Sequence, residues 1–91
     1  METSKSSGNT RKRRRKRMYI RLMDDNINTV EYVVKCLMTV CGHNYYQAEQ
    51  CALITHNTGK CTVHSGFDQE MIYVYLQLAK SGLKVELSQT K

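Results

Sequence analysis

Three glycines, Gly42, Gly59 and Gly82, divide this chain, and each closes a stretch in which apolar residues recur at helical spacing. A glycine just past such a stretch stops a helix, because it reaches the left-handed conformation without a Cβ clash. The pattern predicts three helices. The first starts at an Asn28 N-cap, with Glu31 as its capping-box partner. It carries Val30, Val33, Val34, Leu37, Met38 and Cys41 on one face. The second starts at Asn44, with Gln47 in the reciprocal position, and places Tyr45, Ala48, Cys51, Ala52 and Thr55 together. The third is capped by Asp68 and buries Met71, Ile72, Val74, Tyr75, Leu78 and Ala79. Short apolar or β-branched runs at Met18–Met23, Lys60–Ser65 and Leu83–Leu87 read as strands, the last with Lys84 and Glu86 facing out. The order is βααβαβ. It predicts an α+β fold, a small sandwich with a three-stranded antiparallel sheet packed against helices.

Charge is distributed unevenly along the 91 residues. Residues 1–17 hold eight Lys or Arg against one acid, and the remainder holds six against seven. We therefore expect a disordered basic tail over 1–17 and one folded domain over 18–91. The run Arg11, Lys12, Arg13, Arg14, Arg15, Lys16, Arg17 will attract any polyanion. One reading of function follows from it: a nucleic-acid- or ribosome-associated protein that binds through its tail. No apolar run approaches the ~18 residues of a membrane span, and the N-terminus shows no apolar signal segment. A cytoplasmic setting is expected, with Cys36, Cys41, Cys51 and Cys61 as free thiols.

Leu22–Tyr32 carries the chemistry. Asp24, Asp25 and Asn26 sit where a strand ends and a helix begins. Such residues make turns and caps. Crowded together, they also suit a small cation, and a primary ammonium carries three donors and no acceptor. Elsewhere the sequence offers little. Cys41-x-His43 and Cys61-x₂-His64 lack the paired short knuckles of zinc modules, so no metal or cofactor is expected. No nucleophile–base pair or phosphate-cradling glycine loop is present, which points away from an enzyme.

The stretch Leu22–Val34, read as Leu-Met-Asp-Asp-Asn-Ile-Asn-Thr-Val-Glu-Tyr-Val-Val, resembles the signature of the Clp protease adaptor family ClpS. That signature runs apolar, Asn-Asp-Asp, a variable residue, Asn/Thr-Thr/Pro, apolar, Glu/Asp, aromatic, Val. The likeness continues through Ala48 to His56 and Gly59. It implies the βααβαβ fold and a non-enzymatic adaptor. Such an adaptor binds N-degrons, proteins with bulky hydrophobic N-terminal residues, and delivers them to an AAA+ Clp unfoldase of the ClpA or ClpC type. By resemblance, Asp24, Asp25, Asn26 and His56 hold the N-terminal amine. Val30, Val33, Ala52 and Thr55 line the side-chain pocket, with Ile27 and Asn28 at its rim. Three departures stand out. Asp-Asp-Asn replaces Asn-Asp-Asp, and Ala52 and Val30 are smaller than the residues usual at their positions. The family's charged docking face on the third helix is not recognisable in Met71-Ile72-Tyr73-Val74.

The chemistry fits these assignments. Asp24 can give a charge-assisted hydrogen bond, neutral His56 can accept through a ring nitrogen, and Asn26 or a water on Asp25 can take the third donor. Burying a Leu or Phe side chain adds ~1.5–3 kcal/mol. An internal segment lacks the ammonium and leaves the acceptors unpaired, at ~1–3 kcal/mol. Since a protonated imidazole cannot accept, binding is expected to weaken where histidines ordinarily protonate, near pH ~6.5.

Overall fold

The computed structural model describes residues 16–89, so the run Arg11–Arg15 lies outside the described residues. Six elements follow in the order β1 (Arg17–Met23), α1 (Val30–Cys41), α2 (Tyr45–Thr58), β2 (Lys60–Phe67), α3 (Asp68–Lys80) and β3 (Val85–Gln89). The fold is α+β, with the βααβαβ order that caps and periodicity predict. β1 is the middle strand and pairs antiparallel with both neighbours. Ile20 opposes Leu87, and Leu22 opposes Val85 and Cys61. Because strand side chains alternate, Ile20 and Leu22 point to one face, where they are buried with Leu37, Met71, Leu78 and Leu83. On the opposite face Arg21 reaches across to Glu86 at 3.3 Å.

The β1–β2 register shifts between Ile20 and Arg21, so that Arg21 pairs with Thr62 and Ile20 with His64. Val63 is the extra residue of this bulge, and its side chain is buried. The Val63 carbonyl is met by His43, from the α1–α2 connection, at 2.7 Å. A carbonyl only accepts, so the His43 Nε2 carries the proton and donates.

Several ends differ from the sequence expectation. The N-cap of α1 is Thr29, whose hydroxyl accepts from the Tyr32 N–H, and not Asn28. Asn28 is drawn away by partners at the neighbouring turn, described below. β2 continues two residues past Ser65 to Phe67, which takes the N-cap position of α3 with extended backbone and no side-chain cap. Asp68 therefore starts the helix instead of capping it. Ser81 closes α3, and Gly82 takes positive φ one residue later. β3 begins at Val85, with Leu83 already buried ahead of it. Tyr45 faces solvent, not the core; it sits in the first turn of α2 and hydrogen-bonds Glu49. Tyr46 is also exposed. On α3, Ile72 and Ala79 lie outside the buried stripe; Ile72, Tyr73 and Leu76 form an exposed apolar side. Met38 and Val30 are likewise partly open on α1.

Other ends agree. Gly42 and Gly59 are the left-handed C-caps of α1 and α2. Asn44 and Gln47 form the reciprocal capping box of α2. The buried residues of α2 are the small Ala48, Ala52 and Thr55, so α1 and α2 pack without bulky side chains from this face.

Candidate functional site

The site begins with the connection between β1 and α1. Asp25 builds this turn. One of its carboxylate oxygens accepts the backbone N–H of Ile27 at 2.8 Å and of Asn28 at 2.9 Å, and the other accepts the Asn28 side-chain amide at 3.0 Å. Those bonds, the Asn28 backbone N–H first among them, hold the Asp25 carboxyl below the usual carboxylate range. The Asn28 amide also donates to the Gly82 carbonyl at 3.0 Å, and the Tyr32 hydroxyl donates to the Ser81 carbonyl. On the other side, the Asp24 N–H donates to the Gly59 carbonyl at 3.0 Å. One short turn is thus fastened to the ends of both α2 and α3.

These fastenings place Asp24 beside the last turn of α2. Its Oδ1 lies 4.0 Å from Nδ1 of His56. Neither side chain is buried. Charge-assisted N–H···O bonds are ~2.8 Å long. Twice that length exceeds the gap, so one ammonium nitrogen can touch both atoms at once.

Beside this pair lies a hollow of about 340 Å³, at the small end of ligand-pocket sizes. Leu22, Val30, Val33 and Ala52 give its apolar wall, the buried Thr55 also borders it, and Asp24, Asp25, Asn26, Asn28 and His56 give its polar side. Of the residues expected at the site, nine border this one hollow. Ile27 does not; it projects into solvent, 87% exposed, at the tip of the Asp25 turn. Leu22, Met23 and Thr29 also border it and were not foreseen. Their sequence signal was adjacency alone, since they flank the Asp-Asp-Asn run. The roles of the Gly59, Ser81 and Gly82 carbonyls had no sequence signal, because backbone acceptors carry none.

Two of the thiols lie above the ordinary cysteine range. Burial pushes Cys41 up to about 11. Burial, then a hydrogen bond with the Cys61 thiol, pushes Cys51 up to about 12. Both stay protonated and unreactive near neutral pH. Among the described residues, no cluster of three His, Cys, Asp or Glu side chains is arranged to hold a metal ion.

The family model described as ATP-dependent Clp protease adaptor protein ClpS matches residues 13–86. The match spans well over half of the chain, and the chain belongs to the ClpS family. Among solved structures it is similar to Agrobacterium tumefaciens ClpS2 bound to L-phenylalaninamide. The TM-score is 0.73 and the identity 14%, with 85% of this chain and 100% of that one covered. At such identity the likeness is one of fold. No curated protein matches.

Proposed function

We propose that this ClpS-family adaptor binds the free amino end of polypeptides whose first residue is bulky and apolar, and hands them to an AAA+ Clp unfoldase in the cytoplasm. It performs no bond chemistry of its own. The observation that supports this reading is the 4.0 Å Asp24–His56 pair at the mouth of an apolar hollow. A carboxylate and a neutral imidazole both accept, so the pair suits an ammonium with its three donors and its charge better than an acylated N-terminus with one uncharged N–H. Asn26 is the third acceptor. Asp25, with three of its acceptor sites occupied inside the turn, positions Asp24 and Asn26. L-phenylalaninamide, the ligand of the similar Agrobacterium protein, joins an α-amino group to an aromatic side chain, which is the same pair of features.

The test is a titration of labelled peptides that begin with Leu, Phe, Tyr or Trp, alongside N-acetylated copies. Free peptides are expected to bind and acetylated ones to lose at least tenfold. Asp24→Ala and His56→Ala are each expected to weaken binding about tenfold, the loss of one charge-assisted bond at a solvent-facing site. Equal binding of free and acetylated peptides would overturn the reading.

A further inference from the structure

Thr55 is the only buried polar residue among the described side chains, 4% exposed. It borders the hollow. Its hydroxyl donates to the Cys51 carbonyl at 2.8 Å, one turn back along α2. That bond uses the single hydroxyl proton and leaves the oxygen with acceptor capacity. A threonine bonded to its i−4 carbonyl is common in helices, and this accounts for the proton. It provides no donor to the oxygen. Thr55 and His56 are consecutive on one helix, about 100° apart. His56 therefore lies on the exposed side of the helix, while Thr55 is buried and borders the hollow together with Leu22, Val30, Val33 and Ala52. The other polar groups of the hollow are solvent-facing, as Asp24, Asn26 and His56 are, or bonded to each other, as Asp25 and Asn28 are.

We infer that the hollow selects a first residue whose large side chain ends in a hydrogen-bond donor, tyrosine or tryptophan, over phenylalanine and leucine, with Thr55 Oγ1 as the acceptor. This rests on the amine-recognition reading above. Thr55 is shielded from bulk solvent. A phenylalanine ring against it supplies no donor. A phenol O–H or an indole N–H supplies one. The missing volume at Ala52 leaves room for the larger ring.

The experiment compares peptides that differ only in the first residue, Tyr, Trp, Phe or Leu, by calorimetric titration of the full chain. Tyr or Trp is expected to bind about fivefold more tightly than Phe, the size of one net hydrogen bond. Thr55→Val, nearly isosteric, is expected to abolish that gap while Phe binding holds or improves. Thr55→Ser is expected to keep it. The inference falls if Phe binds the unmodified protein as tightly as both donors do, and that comparison needs no variant. It also falls if the gap survives in a folded Thr55→Val protein. Acetylated Tyr peptides separate the two levels. If they bind as well as free ones, the amine reading fails. If they do not bind and the Tyr–Phe gap is absent, only the role of Thr55 fails.

Discussion

Asp25 illustrates how much of the site rests on one side chain that need not touch a ligand. Its carboxylate closes the turn with three hydrogen bonds. Asp25→Ala removes them and is expected to cost about 1–2 kcal/mol of stability at pH 7. The folded pKa is depressed, chiefly by the Asn28 N–H. Its contribution is therefore complete above the unfolded value of ~3.9 and is lost as pH falls through the lower folded value. Urea unfolding at pH 7 and near pH 3 should show the wild-type advantage over Asp25→Asn shrink in acid; an unchanged gap would remove the charge from the account. Single residues were only partly legible beforehand. The Asn44–Gln47 box was readable because both partners lie within one turn. The true cap Thr29 was masked by Asn28, an equally good capper, which is claimed by Gly82 at a separation of 54 residues that no local spacing reports.

At the level of elements, the number, type and order of helices and strands were readable, because period and punctuation agreed along the chain. Their ends were less so where tertiary structure intervened. β2 runs on into α3 because Gly66 and Phe67 still pair with Met18 and Arg17 across the sheet. Two of the six residues expected on the α3 stripe, Ile72 and Ala79, face outward, because they are as apolar as their buried neighbours. The end of α2 is where an element most directly serves the site. Gly59 sits at φ 101° and its carbonyl anchors the Asp24 N–H. A Cβ there meets nothing within 4 Å, so the cost of Gly59→Ala is backbone strain alone. The substitution is expected to lower stability by about 1 kcal/mol and to weaken peptide binding as Asp24 shifts from His56. Thermal unfolding and the peptide titration together check it; a stability loss with intact binding would free Asp24 from that anchor.

For the molecule as a whole, the charge split is the largest-scale property, and it was fully legible in composition. Eight of the fourteen basic residues precede Met18, and every described element begins at Arg17 or later. Deleting residues 1–15 is expected to leave the unfolding midpoint and peptide affinity within error while abolishing any salt-sensitive binding to RNA or heparin. Peptide binding that vanished with the tail would contradict a body that works alone. What the sequence could not show by periodicity was convergence. Asp24 and His56 are 32 positions apart, and only the resemblance to ClpS linked them before the fold did.

The β1–α1 turn is tied to Gly59 and Gly82, and Tyr32 in the first turn of α1 is tied to Ser81. Both anchors of the turn come from chain that follows it, past the ends of α2 and α3, so β1 and α1 alone cannot lock its shape.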